Sequence, residues 1–377
     1  PKLQGINPAD GKGSVSLNPT FRATFSERVN LSTVDVNVSN TSCTGSIQVS
    51  KDNFASCVKM STSPLVSNYY RTFSFEPYDN LDDETLYKMK VTRAVEDMAG
   101  NTLLSEETVS FTTVDVTPPK LTWITKVKTP TNDETPSLEF SSTEAGDITY
   151  GGKCDSSTAK ATLGSNTITF NKLTEGNYLG CSITVKDAAG NRGSLSVNPF
   201  NIDTTAPTVT FVTPINNDTA ISLATPIGVS FSEPMDTSSV TSNTTSTGCS
   251  GGILLSRDGF SNCVQMSASP TDSNLQKDFQ VTPSANLDNE SWYKIRATTD
   301  VKDLAGNALA SNYDMAKGFQ SADVTAPSLK VVTKVTTPAK DKTPSFKFNT
   351  NEGGTITFGG SCTSSDNNTS IGTGESA

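Results

Sequence analysis

Apolar and polar residues alternate in short runs along this chain, and turn-forming residues separate the runs. In Phe21–Phe25 every second residue is apolar, as in a strand that buries one face. Leu86–Val95 is the longest such run, and no stretch has a convincing helical period. Many short strands joined by turns predict an all-β sandwich.

The same pattern predicts the remaining strands. In the first part of the chain they are Val34–Val38, Ile47–Val49, Val58–Met60, Thr72–Phe75 and Thr108–Thr112. In the part that follows they are Leu121–Val127, Ser137–Phe140, Ile148–Tyr150, Thr167–Phe170, Gly180–Val185 and Ser194–Ile202.

Two short motifs alternate along the chain and indicate internal repeats. An Asp-x-Ala-Gly-Asn turn occurs at Asp97–Asn101, Asp187–Asn191 and Asp303–Asn307. An Asp-x-Thr-x-Pro segment, which we call a joint, occurs at Asp115–Pro119, Asp203–Pro207 and Asp323–Pro327. A recurring turn and a stiff proline joint predict a series of small, similar domains.

Comparison of the repeats predicts four domains in the order A-B-A-B. They are A1 (1–115), B1 (116–204), A2 (205–323) and B2 (324–377). Asn286–Tyr293 in A2 corresponds to Asn80–Tyr87 in A1, and Glu352–Cys362 in B2 corresponds to Glu144–Cys154 in B1. B2 is shorter than B1, so we expect an incomplete domain that either continues or receives strands from another chain.

The A domains, with Asn-Pro-Ala-Asp-Gly at Asn7–Gly11, Phe-Ser-Glu at Phe25–Glu27 and the Asp-x-Ala-Gly-Asn turn, resemble the bacterial Ig-like domain first named from a surface-layer protein. The B domains, with Glu-Ala-Gly-Asp-Ile-Thr-Tyr-Gly-Gly at Glu144–Gly152, resemble the tandem repeats of giant adhesins. The resemblance implies Ig-like β-sandwiches in an elongated array. An Ig-like fold also predicts a tyrosine corner at Tyr87, Tyr178 and Tyr293.

The seven cysteines follow the repeats. Cys43 and Cys57 are 14 residues apart, and the same spacing recurs at Cys249 and Cys263. This arithmetic predicts disulfides within each pair, a third between Cys154 and Cys181, and an oxidising compartment. Cys362 corresponds to Cys154 and has no sequence counterpart to pair with. Metal thiolates are one alternative, but no Cys-x-x-Cys pair and no histidine accompany the cysteines. Free buried thiols are the other, and they leave the repeated spacing unexplained.

Composition argues against several functions. The chain contains no histidine, has a formal net charge of -10 and has no run of lysine or arginine, which speaks against nucleic acid and anionic membranes as partners. No apolar run is long enough to cross a bilayer. Without histidine and without any catalytic constellation, we expect that the protein is not an enzyme.

Acidic residues of the motifs form two candidate calcium sites. In an Ig-like sandwich, the entry joint lies at the same pole as two of the loops. We therefore expect Asp115, Glu144, Asp187 and Asn191 to converge, and likewise Asp203, Glu233, Asp303 and Asn307. Such oxygen donors suit calcium, and the resemblance to adhesin repeats points the same way. The alternative is that Asp and Asn only stabilise a hairpin turn.

These features predict an extracellular structural or adhesive protein: a stalk, or a subunit of a filament or surface layer. Its partners would be other copies of itself or cell-surface components. One alternative is an adhesin module that recognises a glycan or a protein. Another is a set of accessory domains from a larger carbohydrate-active enzyme.

Overall fold

The computed structural model describes residues 1–245, 247–362, 370–371 and 374–376. Part of the predicted B2 domain therefore lies outside the described residues. The chain forms two compact units, Pro1–Ile202 and Asp203–Ala377, and each is a tandem array of β-sheets. No helix in the described part of the chain is long and apolar enough to span a membrane.

A1 is a sandwich of two four-stranded sheets. The first sheet has the order β1-β3-β6-β5 and the second has the order β2-β8-β7-β4. The strands are β1 (Leu3–Asn7), β2 (Lys12–Val15), β3 (Phe21–Phe25), β4 (Ile47–Ser50), β5 (Leu65–Ser67), β6 (Thr72–Phe75), β7 (Leu86–Val91) and β8 (Glu107–Thr113), with a short 3-10 helix at Leu31–Thr33. Phe21, Phe73 and Phe111 from both sheets are buried in the core between them.

B1 has a three-stranded sheet, a four-stranded sheet and a two-stranded ribbon, with the orders β13-β10-β9, β12-β11-β15-β16 and β14-β17. The strands are β9 (Leu121–Thr125), β10 (Ser137–Ser142), β11 (Gly146–Gly151), β12 (Lys160–Ala161), β13 (Gly164–Thr169), β14 (Gly176–Tyr178), β15 (Ser182–Lys186), β16 (Arg192–Ser196) and β17 (Phe200–Ile202). Its core contains Phe140, Ile168 and Ile183.

A2 repeats the architecture of A1. One sheet has the order β18-β19-β22-β21, and in the other β23 pairs with β20, β24 and β25. The strands are β18 (Val209–Thr213), β19 (Ile227–Phe231), β20 (Ile253–Ser256), β21 (Thr271–Ser273), β22 (Asp278–Val281), β23 (Trp292–Ala297), β24 (Tyr313–Asp314) and β25 (Phe319–Gln320). Ile227, Ile295 and Phe319 lie in its core.

B2 has five described strands. They are β26 (Leu329–Thr333), β27 (Lys347–Thr350), β28 (Gly354–Thr355), β29 (Ser370–Ile371) and β30 (Gly374–Ser376), in the sheets β26-β27-β30 and β28-β29. Phe348 is buried, whereas Leu329 and Val331 are exposed.

The predicted tyrosine corners and disulfides are confirmed. The hydroxyl oxygens of Tyr87, Tyr178 and Tyr293 accept hydrogen bonds from the backbone N–H groups of Asp82, Thr174 and Asp288, at 3.1, 3.0 and 2.9 Å. Disulfides join Cys43 to Cys57, Cys154 to Cys181 and Cys249 to Cys263. Cys362 is exposed and is the free cysteine.

Four strand predictions were wrong. Ser194–Ile202 is two strands, β16 and β17, which belong to different sheets. Val34–Val38 and Val58–Met60 form no strand, because their backbone groups bond irregularly, for example Met60 N–H to Asn37 O. The run Leu86–Val95 is a strand only to Val91, where the chain turns. The longest strand of A1 is therefore Glu107–Thr113.

Candidate metal sites at the domain joints

Each joint begins with an aspartate that caps its own turn. The backbone N–H of Thr117 donates to Asp115 Oδ1 at 2.9 Å, and that of Thr205 donates to Asp203 Oδ1 at 3.1 Å. This local bond is typical of Asp two residues before a polar residue. It uses one oxygen of each carboxylate and leaves Oδ2 available for a further contact.

Two reciprocal hydrogen bonds attach each joint to the loop that carries the glutamate. Lys120 N–H donates to Thr143 Oγ1 at 2.8 Å, and Thr143 N–H donates back to Lys120 O at 3.1 Å. In A2 the same exchange joins Thr208 and Ser232, at 3.0 and 2.9 Å. The residue after Thr143 is Glu144, and the residue after Ser232 is Glu233, so these bonds fix both glutamates beside the joint aspartates.

A glycine permits the close packing of the first joint. A Cβ on Gly193, in β16, would lie 1.7 Å from the carbonyl oxygen of Pro119. No side chain larger than hydrogen fits there without moving the joint. The Asp187–Asn191 turn leads directly into β16, so this contact also holds the turn against the joint.

The Asp-x-Ala-Gly-Asn segments are tight turns, as the alternative hypothesis required. Asp187 Oδ1 accepts hydrogen bonds from the backbone N–H groups of Gly190 (2.6 Å) and Asn191 (2.9 Å). Asp303 Oδ1 accepts the equivalent pair from Gly306 (2.7 Å) and Asn307 (2.8 Å). These backbone bonds all go to Oδ1, and in the first turn they leave Asp187 Oδ2 for a metal.

The fold brings the predicted acids together in both places. Asp115, Glu144 and Asp187 each present an oxygen within 4.8 Å of the other two, and so do Asp203, Glu233 and Asp303. Asp187 and Asp303 are buried, and the other four acids are half-buried. Three carboxylates at this separation repel one another unless a proton or a cation lies among them.

The first cluster has an unsatisfied acceptor. Asp187 Oδ2 is buried and has no hydrogen-bond partner. Burial raises the pKa of Asp187, but hydrogen bonds from Asn191 and Gly190 outweigh that effect and lower it overall, so this group favours the charged form. Partial burial raises the pKa of Glu144, and the negative charges of Asp115 and Asp187 raise it further. A buried charge without a partner is costly, and a bound cation would compensate for it.

The second cluster differs in one amide. Asn307 Nδ2 donates to Asp303 Oδ2 at 2.9 Å and to Asp203 O at 2.8 Å. Asn191 Nδ2 donates to Asp115 O at 3.3 Å. Both amides therefore hold the joint through their nitrogens, and the role of Asn191 and Asn307 as oxygen ligands stays a prediction.

The donor sets fit a hard cation. Carboxylate oxygens from three separate loops match the chemistry of calcium, which prefers about six to eight oxygen ligands in irregular geometry.

Sequence reasoning missed one surface feature. The turn between β5 and β6 in A1 exposes Tyr69 and Tyr70 beside Arg28. A search for acidic and cysteine motifs passes over this turn. Adjacent tyrosines in a polar segment are the signal that would have found it.

The bacterial Ig-like domain family matches residues 1–113 and 203–321. These ranges cover more than half of the 377 residues, so the chain belongs to this family. Among proteins with curated functions, none matches the chain.

Solved structures with similar folds include the N-terminal part of the bacterial S-layer protein SbsC (16% identity, 52% of this chain and 44% of that chain, TM-score 0.22). Another is the Escherichia coli adhesin FdeC (11% identity, 84% of this chain and 95% of that chain, TM-score 0.33). A third is protocadherin gammaB7 domains EC3-6 (12% identity, 90% of this chain and 77% of that chain, TM-score 0.34). The chain spans 44% to 63% of the S-layer structures that it matches. At such low identities and TM-scores, these structures carry no information about what the chain binds.

Proposed function

We propose that this protein is an extracellular, non-enzymatic structural or adhesive protein, in which tandem Ig-like domains form a stalk or a subunit of a filament or surface layer. The observation that carries the proposal is the family membership of two separate, matching domains. The three disulfides support an oxidising, extracellular location.

Calcium at the joints is the second part of the proposal. Asp115, Glu144 and Asp187 would bind one ion, and Asp203, Glu233 and Asp303 would bind another. The support is the convergence of three carboxylates in each cluster and the unsatisfied Asp187 Oδ2. The ion would neutralise the cluster and tie the joint to two loops, which would stiffen the entry to each domain.

Electron microscopy of the native extracellular material tests the structural role. Continuous filaments would identify a polymer subunit, and separate thin fibres attached at one end would identify a stalk. A protein found only inside the cell would contradict the proposal. Native mass spectrometry with calcium should detect two bound ions, and Glu144→Gln and Glu233→Gln should each remove one.

A ligand-binding adhesin is the second candidate. The exposed tyrosines of A1 favour it, because tyrosine and arginine are enriched at protein interfaces. This candidate shares the extracellular location and differs in having a specific partner.

A further inference from the structure

A1 and A2 share an unusual turn in one of their sheets. In A1 it joins β5 to β6, and three consecutive residues, Asn68, Tyr69 and Tyr70, have φ values of 49°, 51° and 65°. In A2 the corresponding residues Asn274, Leu275 and Gln276 have φ values of 50°, 56° and 60°. Residues other than glycine rarely adopt this left-handed backbone conformation. Contacts with the rest of the domain must therefore stabilise the turn.

The same backbone bonds hold both turns. Arg71 N–H donates to Asn68 O at 3.2 Å, and Val29 N–H donates to Tyr70 O at 3.0 Å. In A2, Lys277 N–H donates to Asn274 O at 3.3 Å, and Met235 N–H donates to Gln276 O at 2.9 Å. The turn is therefore a structural feature of the A domain, and its side chains are free to differ between the copies.

The side chains at this turn do differ. In A1, Tyr69 is 84% exposed, and the guanidinium of Arg28 lies 5.3 Å from the centre of the Tyr70 ring. Leu65, in the adjoining edge strand β5, is 71% exposed. In A2 the strand equivalent to β5 is β21, which begins with Thr271 and Asp272. The A2 residue that corresponds to Arg28 is Pro234. The A1 turn is therefore aromatic and apolar, whereas the A2 turn has one exposed apolar side chain, Leu275 (81% exposed), among polar residues.

The charge of the two turns differs as well. Arg28 and Arg71 give the A1 turn a positive charge, and neither takes part in a salt bridge among the described residues. The A2 turn has Asp272, Lys277 and Asp278, and the Lys277 ammonium donates to Ser232 O at 3.1 Å. The whole chain has a net charge of -10. The A1 turn is thus a basic, aromatic feature on an acidic protein.

We infer that the A1 turn, Asn68–Arg71 with Arg28, is a docking surface for an acidic surface on a second copy of this chain. Charge complementarity between a basic turn and an acidic chain identifies the occupant, and exposed tyrosine with arginine is the composition of interface hot spots. One turn buries less area than a stable dimer needs, so a single contact is weak. Repeated along an array of molecules, it becomes strong through avidity. The inference rests on the proposed structural role.

Sedimentation velocity of the full chain tests it, at several concentrations and at low and high salt. The key variant replaces the A1 side chains with those of A2: Arg28→Pro, Tyr69→Leu, Tyr70→Gln and Arg71→Lys. Because A2 has the same backbone conformation at this turn, the variant should fold, which its thermal unfolding checks. The matched control changes Leu275→Ala in A2.

The wild type should associate at high concentration, and less so at high salt. The variant should lose this association by roughly tenfold or more, while the control retains it. A wild type that stays monomeric at every concentration and at low salt, or a variant that associates as the wild type does, overturns the inference. Binding of the monomeric wild type to a sialylated or uronic-acid glycan also overturns it in favour of a glycan partner. Because microscopy tests the structural role separately, failure of this inference leaves that role intact.

Discussion

The two acid clusters use the same residue types at corresponding positions, yet they are not equivalent. In the second, Asn307 Nδ2 bridges Asp203 O and Asp303 Oδ2, at 2.8 and 2.9 Å. In the first, Asn191 donates to Asp115 O at 3.3 Å, and Asp187 Oδ2 has no partner. The motif therefore determines the turn, and the orientation of one amide determines how many carboxylate oxygens remain for a cation.

The largest expected difference comes from removing the turn aspartates. In calcium-free buffer, Asp303→Ala should destabilise A2 by about 3 kcal/mol, and Asp187→Ala should destabilise B1 by about 2 kcal/mol. Hydrogen bonds to charged acceptors contribute about 1.5–3 kcal/mol, and Asp303 accepts one more side-chain hydrogen bond than Asp187 does. Hydrogen exchange of β15 and β23 in the full chain, at increasing urea concentration, measures the two domains separately. Equal losses would contradict the difference between the clusters.

Calcium should have the opposite effect, with the larger change in stability in B1 and the smaller one in A2. Since the first cluster has the unsatisfied oxygen, calcium should stabilise B1 more than A2, by up to about 2.7 kcal/mol at a hundredfold excess over Kd. The measurement is the same exchange experiment with calcium and with chelator. Glu144→Gln should abolish the gain in B1 alone, and Glu233→Gln should abolish it in A2 alone. If chelator changes neither domain, the calcium proposal is wrong.

The amides should have a smaller effect. Asn307→Ala removes two hydrogen bonds and should cost about 1–2 kcal/mol, whereas Asn191→Ala removes one long bond and should cost about 0.5 kcal/mol. Differential scanning calorimetry in chelator gives both values relative to the wild type. Asn307→Asp is the control for side-chain size, because it keeps the volume of the side chain and removes only the hydrogen-bond donor. A larger cost for Asn191 would show that the two amides do not differ as described.

The smallest difference is expected in the disulfide loops. Hydrogen bonds from Ser56 lower the pKa of Asp52 to about 2, and hydrogen bonds from Asn262 lower that of Asp258 to about 2. A lowered pKa means that the charged form is favoured in the folded state, so its stabilising effect is present above the ordinary pKa near 3.8 and is lost as the pH falls towards 2.

A1 and A2 should therefore lose this stabilising effect in the same pH range. Carboxyl titration by NMR should give the same pKa for both aspartates. Asp52→Asn and Asp258→Asn should each reduce, by the same amount, the loss of domain stability as the pH falls below about 4. Different titration midpoints would show that the A domains differ beyond their joints and turns.

Local sequence patterns predicted several strands and the disulfides correctly. The alternation in Phe21–Phe25 predicted the bounds of that strand. The repeated 14-residue spacing predicted two of the disulfides, and Cys154 and Cys181 were the third predicted pair. Predictions failed where apolar residues lie in irregular segments. Val34 and Val36 are buried although no strand contains them, because the loop around the first disulfide packs into the core. Alternation reports burial, and burial does not require a strand.

Residue types and their spacing were enough to predict the repeat, the all-β fold, the cysteine pairs and the acids that converge at the joints of B1 and A2. Three features could be seen only in the folded chain: the carboxylate oxygen of Asp187 that has no partner, the close approach of Pro119 to Gly193, and the left-handed turn that exposes Tyr69. Those features depend on side-chain orientation and on contacts between residues distant in sequence. Two copies of one motif can differ in them while their sequences agree.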